Sequence, residues 1–176
     1  MERFLNPDTT LDEINVHGNM HVADLGSGAG HFSLAAARRL ASGGRVHAFD
    51  VQKEPLESLR ADAARLGLHN ITTLWTDLER PESTKLAQGS MDVVFLHNVL
   101  FQAEDKPAMI KEASRILHPN GKLSVIDWVA SVGGGPEQQN RISKEQVKEL
   151  ATKNGLAYEK DFRTGSHHYG IILRKL

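Results

Sequence analysis

Asp24-Leu25-Gly26-Ser27-Gly28-Ala29-Gly30-His31-Phe32 is the stretch on which the rest of the chain's reading depends. It follows a β-like run, His21 to Leu25, and opens a helical pattern of small residues running roughly from Gly30 to Ala41. Glycines at alternate positions let the backbone turn sharply and approach a ligand without side-chain interference. A dinucleotide fingerprint would place its third glycine at position 31, where this chain has His31, with Gly30 one residue early. The loop offers no Lys or Arg to a phosphate, and Asp24 beside it suits a cationic group better than a pyrophosphate.

Outward from the loop, β-like runs alternate with helical patterns. Arg45–Phe49 reads as a second strand, and a helix with Leu56, Leu59, Ala63 and Leu66 on one face follows it, ending near Gly67. Ile71–Trp75 is a third strand, and the polar stretch from Leu78 to Ser90, broken by Pro81, holds at most a short helix. Asp92–Leu96 is the continuous apolar run of a strand covered on both faces. Met109, Ile110, Ala113, Ile116 and Leu117 form the buried stripe of a helix that ends before Pro119, after which Asn120-Gly121 turns into a strand from Leu123 to Ile126. Gly133-Gly134-Gly135-Pro136 interrupts the chain, and Ser143 with Gln146 gives a capping box opening a helix that closes at Asn154-Gly155. The final runs, Ala157–Phe162 and Tyr169–Arg174, are too close for a crossover helix and should pair antiparallel. The pattern predicts an α/β fold: a doubly wound, Rossmann-like, mostly parallel seven-stranded sheet with helices on both faces and an antiparallel C-terminal edge strand. Ligands of such sheets bind at the carboxyl ends of the strands.

The 176 residues carry 21 Lys+Arg against 22 Asp+Glu and contain no cysteine, which suits one domain spanning 1–176. A formal net charge of -1 gives no global attraction to nucleic acid or an anionic membrane, and none is expected as a partner. No run approaches the length of a membrane span and no leader is evident, so a cytoplasmic location is expected. Without cysteine there is no disulfide framework, thiolate cage or catalytic thiol. His167-His168 point to opposite faces of an extended chain and His17/His21 flank Gly18, so no metal site is expected.

Asp50 ends the second strand and Asp77 the third. A carboxylate accepting two hydrogen bonds is the natural partner of a ribose diol, and one at Asp77 can accept from an adenine amine. Any one of these residues alone also suits a helix cap; three acids at three successive strand ends around a glycine loop form a rarer set.

Together these stretches resemble the class I S-adenosylmethionine-dependent methyltransferases, over nearly the whole chain from about Asn6. Val22–Gly30 resembles the family's first motif, Asp50 its ribose-binding acid, Thr76-Asp77 its adenine-binding turn, Met91–Leu100 its fourth-strand motif, and Ile116–Leu123 the turn before its fifth strand. Closest in flavour are the ubiquinone/menaquinone-biosynthesis enzymes that methylate small molecules. The resemblance implies S-adenosylmethionine as cofactor, S-adenosylhomocysteine as product and a small-molecule methyl acceptor as partner. It places the cofactor against Asp24, Gly26, Ser27, Gly28, Gly30, His31, Phe32, Asp50, Val51, Thr76, Asp77, Leu78, His97 and Asn98. His97 is the candidate base, with packing beside the cofactor as the equal alternative. Phe101, Asp127, Trp128, His168 and Tyr169 are expected to wall the acceptor site. Only about 20 residues precede the first strand, so residues 1–20, Phe4–Leu11 above all, are expected to act as a lid, where relatives carry extra helices. No Asn/Asp-Pro-Pro-Tyr/Phe follows the fourth strand, which argues against nucleic-acid amino methylation. The lack of cysteine excludes the arsenite-methylating relatives, whose substrate needs thiolates. The alternatives are a cofactor-binding module without catalysis of its own, and a nucleotide- or nicotinamide-binding protein. The chain is compatible with a monomer or a homo-oligomer.

Overall fold

The structure, a computed structural model, describes residues 5–131 and 133–176; Phe4, expected in the lid, lies outside them. The chain runs α1 (Pro7–Ile14), β1 (His21–Leu25), α2 (His31–Arg39), β2 (Arg45–Asp50), α3 (Lys53–Arg65), β3 (Ile71–Trp75), β4 (Met91–His97), α4 (Lys106–Ile116), β5 (Leu117–Trp128), α5 (Lys144–Lys153), β6 (Leu156–Phe162) and β7 (His168–Lys175), with single 3-10 turns at Leu100–Gln102 and Gln138–Asn140. Residues 76–90 form turns without a helix.

The strands order as β3-β2-β1-β4-β5-β7-β6. Those from β1 to β5 are parallel, and β7 runs antiparallel to both neighbours. The antiparallel strand therefore stands one place in from the edge, and β6 is the outer strand. The order reverses between β1 and β4, where a cleft opens at the strands' carboxyl ends.

Two apolar layers hold the sheet. On one face Val22, Val46, Phe95, Ile126 and Ile172 meet α1 and α2 through Leu11, Ile14 and the run Ala35-Ala36-Ala37. The small alanines let α2 lie close to the strands. On the other face Leu25, Val94, Leu96, Val125 and Ile171 meet α4 and α5 through Ile110, Ala113 and Val147. At the start of β5 the register shifts between Met91 and Val93, and the turn carries Asn120 at φ 69, so the expected Asn-Gly turn lies within β5 as an irregularity. The capping box of α5 is present, with Ser143 and Gln146 exchanging hydrogen bonds at 3.2 and 2.9 Å.

Helix α1 occupies part of the segment expected to be a lid. Asn6 caps it by accepting the N–H groups of Asp8 and Thr9, Pro7 fits its first turn, and Asn15 closes it in the left-handed region at φ 64. Leu11, Ile14 and Val16 are buried, and Arg39 binds Asp12 at 2.6 Å. Leu11, Ile14 and Val16 are thus core, and among the described residues of the segment only Leu5 and Pro7 reach the cleft. Among the described residues no helix is long and apolar enough to cross a membrane.

Candidate active site

The cleft is a cavity of about 690 Å³ between the glycine loop and the ends of β2, β3 and β4. Its loop is built by three left-handed glycines, Gly26, Gly28 and Gly30, at φ 82, 52 and 80. The N–H groups of Gly26 and Ser27 both donate to the Phe49 carbonyl, which folds the loop against β2. The glycines are not equivalent. A Cβ on Gly26 would lie 2.3 Å from Val99, and one on Gly30 would lie 2.3 Å from Leu59, so these two answer to packing. A Cβ on Gly28 would meet nothing within 4 Å and would enter the cavity. Gly28 is where the backbone lies open to a ligand.

Asp50 organises this loop. Its Oδ2 accepts the N–H of Gly28 at 2.8 Å and its Oδ1 that of Gln52 at 2.9 Å. Each oxygen retains acceptor capacity, and Asp50 lines the cavity, enough for a diol. Asp24 is buried beneath the loop, and Ser33 on α2 donates to it at 2.6 Å. Burial, helped by the nearby Asp50 charge, lifts the Asp24 carboxyl to about 6 against the Ser33 hydrogen bond that lowers it. A buried carboxylate poised near neutrality is ready for a cationic partner. At the far end Asp77 accepts the N–H of Glu79 at 3.0 Å and binds Arg80 at 3.2 Å. Val51 is largely exposed there and Leu78 buried; both line the cavity, as do His31 and Phe32 at the start of α2.

His97 ends β4 and is buried. Its Nε2 shares a hydrogen bond with Ser124 on β5 at 2.9 Å, its ring stacks on Phe95 at 4.8 Å, and Phe32 meets it edge-on at 4.3 Å. Burial drives its pKa down to about 3, so the ring is neutral near pH 7. Nδ1 of His97, Oδ1 of Asn98 and Oγ of Ser27 are buried without a hydrogen-bond partner, and all three residues line the cavity. Buried polar atoms are rarely left unsatisfied; three around one cleft match a polar ligand that completes them. Asn98 holds φ 54, a strained left-handed position for a non-glycine residue.

Most of the residues expected around the cofactor therefore converge here. Two do not face the cavity. Gly30 packs on Leu59, and Thr76 uses its N–H on the Asp50 carbonyl and its hydroxyl on the Ser83 carbonyl. The cleft also takes in Gln52, Pro55, Glu79, Val99, Gln102 and Met109, which the sequence reading missed. Glu79 had a signal, lying two residues past Asp77; its carboxylate accepts the N–H groups of Glu104 and Asp105. Ser33 and Ser124, which position Asp24 and His97, had none, because their roles arise only when helix and strand pack.

The expected acceptor wall divides in two, and alternation along the strands is the reason. Trp128 pairs with His168 across β5 and β7, and Asp127 pairs with Tyr169, so the pairs leave opposite faces. Trp128 and His168 line a second cavity of about 350 Å³, which shares Leu5 with the first. Asp127 is buried on the other side, where it accepts the N–H groups of Trp128 at 2.8 Å and Phe101 at 3.3 Å. Tyr169 donates to the Ile142 carbonyl at 3.1 Å, and burial raises its phenol pKa. Asp127, Tyr169 and Phe101 thus brace the turn after β4 and line neither cavity.

The cleft thus joins a doubly wound sheet, a glycine loop and acids at three strand ends. The family model described as a methyltransferase domain matches residues 16–171, and the chain belongs to that family. The chain is 29% identical over 154 residues to an arsenite methyltransferase of Aquipseudomonas alcaligenes, covering 85% of this chain and 43% of that protein. It is 29% identical over 120 residues to the ubiquinone/menaquinone biosynthesis C-methyltransferase UbiE of Haemophilus ducreyi, covering 68% and 45%. The chain spans less than half the length of these two relatives. Sequence kinship thus reaches the arsenite enzymes that the missing cysteines were expected to exclude. The fold is that of a SAM dependent methyltransferase from Aquifex aeolicus, with a TM-score of 0.87 at 22% identity over 98% of this chain and 91% of that one.

Proposed function

We propose that the protein is an S-adenosylmethionine-dependent methyltransferase acting on a small molecule. The observation that carries this reading is the match between the main cavity and an amino-acid nucleoside. Asp24 is a buried acid for an ammonium group, Asp50 a diol acceptor fixed by two backbone N–H groups, and Gly28 an open approach between them. The unpartnered atoms of Ser27, His97 and Asn98 supply the remaining polar contacts.

When bound, S-adenosylmethionine supplies a methyl group on a cationic sulfur, primed for in-line displacement. The chain's part is then to position and to desolvate. Phe32 and the neutral His97 present ring surface rather than competing positive charge on the β4 side of the cleft. Through Ser124 the imidazole is fixed in one plane, and its Nδ1 is free to exchange a hydrogen bond with the ligand. That geometry supports a cofactor-orienting role for His97 over the role of base. Leu5 and Pro7 cover the cleft from the N-terminal side. The net charge and the family relationship support a small acceptor, and none of these features calls for nucleic acid.

Calorimetry with S-adenosylmethionine, S-adenosylhomocysteine and NAD tests the reading. Binding of the two sulfur nucleosides without NAD is expected, and the reverse preference would overturn it. His97→Gln should weaken S-adenosylhomocysteine binding and leave turnover of the saturated complex near wild type; a turnover loss of roughly 10²-fold with unchanged affinity would restore His97 as base.

A further inference from the structure

The second cavity has a chemistry of its own. Trp128 and His168 stand directly opposite each other on β5 and β7, with ring centroids 4.4 Å apart. The remaining wall is mostly backbone. Gly135 is pressed against the indole so closely that a Cβ there would lie 2.5 Å from the ring, and Gly165 and Ser166 line the space as well. Among the described residues lining the space none is Asp, Glu, Lys or Arg, and the cation beside it, Arg141, lies over the indole at 5.7 Å from the ring centroid, so the space suits an uncharged aromatic ligand. At about 350 Å³ it sits at the small end of ligand cavities.

Its position relates it to the cofactor cleft. His97 pairs with Ile126, and Trp128 is two residues further along β5 on the same face, roughly 7 Å on. Leu5 borders both spaces. Among the described residues the His168 imidazole takes no hydrogen bond, and its burial together with the neighbouring His167 holds its pKa below the ordinary value. It is therefore a neutral base near pH 7.

We propose that this cavity receives the methyl acceptor, a flat uncharged phenol stacked against Trp128, and that His168 removes its hydroxyl proton. The assignment rests on the methyltransferase reading. In the step, the phenolic O–H bond breaks as the imidazole takes the proton, the oxygen–methyl bond forms, and the sulfur–methyl bond breaks to leave a neutral thioether. The imidazolium then returns its proton to water.

The chain has two tryptophans, so Trp75→Phe leaves Trp128 as the sole indole reporter. With S-adenosylhomocysteine saturating the cleft, 4-nitrophenol at pH 6, where it is mostly uncharged, should quench Trp128 saturably. Phenol should displace it at concentrations about tenfold below those needed for cyclohexanol. His168→Gln should leave that affinity within about twofold. It should cut methyl transfer to the best of a series of substituted phenols by roughly 10²-fold at pH 7, and by less at pH 10, where phenols ionise unaided. Normal S-adenosylhomocysteine binding without saturable quenching would overturn the acceptor site alone, as would equal displacement by cyclohexanol. No transfer to any phenol that displaces the reporter would overturn the acceptor class. Transfer unaffected by His168→Gln would overturn the base. Failure of S-adenosylhomocysteine to bind would overturn the methyltransferase reading instead.

Discussion

The carboxylate of Asp50 accepts the backbone N–H of Gly28 at 2.8 Å and so fixes the glycine loop to the end of the second strand before any ligand arrives. Strand β2 thus sets the loop's shape as well as lining the cleft. Removing the carboxylate loses both functions. Asp50→Ala should weaken S-adenosylhomocysteine binding by at least about 1.5–3 kcal/mol, the worth of one charge-assisted hydrogen bond. Asp50→Asn, which keeps one acceptor, should fall between. Calorimetric affinities within twofold of wild type for both variants would contradict the assignment.

Gly28 and Gly30 should separate binding from folding. A Cβ at Gly28 meets no protein atom, so the unfolding free energy of Gly28→Val should drop only by the cost of a left-handed backbone, about 1–2 kcal/mol, while cofactor binding is lost. Gly30→Val collides with Leu59 and should destabilise the fold by more than that. Urea titrations beside calorimetry on both variants make the comparison; a Gly28→Val protein that binds normally would reduce the loop to a turn.

Asp24 should leave a signature in stability against pH. Its folded pKa, about 6, is raised above the ordinary 3.8, so the folded state holds the proton more tightly. The stability this supplies is fully present below pH 3.8 and is lost as pH rises through about 6. Relative to Asp24→Asn, the ligand-free wild type should lose on the order of 3 kcal/mol between pH 4 and pH 7. His97 has the opposite sign, its lowered pKa withdrawing stability as pH falls toward 3, but it is common to both proteins and cancels. Parallel urea-stability curves from pH 4 to 7 would show that burial does not shift Asp24.

Hydrogen exchange should divide the N-terminal segment. Residues 11–16 should be protected with or without S-adenosylhomocysteine, because Leu11, Ile14 and Val16 are buried. Residues 5–7 border the cleft and should gain protection on binding. Ligand-dependent protection across residues 11–16 would restore the larger lid.

The strand alternation, the capping box and the glycine loop were legible because each is a local pattern. The acids at three strand ends were legible because parallel sheets collect their ligands there. What escaped is non-local or depends on parity. Helix α1 is short and begins at a proline, so its eight residues carry too little periodicity to stand out; its identity comes from Leu11 and Ile14 meeting α2. Asp127 and Trp128, adjacent in sequence, were expected on one wall, yet adjacent strand residues face opposite ways, and the β7 register decides which partner each meets. Thr76 sits beside Asp77 but turns its hydroxyl to Ser83, a contact across the turn that no spacing rule reveals.

The place of β7 between β5 and β6 also sets an order of construction. A ribosome delivers β1 to β4 and the glycine loop first, and those strands can pair among themselves as they emerge. Trp128 has no partner on a neighbouring strand until His168 is made, some 40 residues later, because the strand beside β5 at that point is β7. In a nascent chain the strands that bear the main cleft are thus all delivered before the wall of the second cavity is complete.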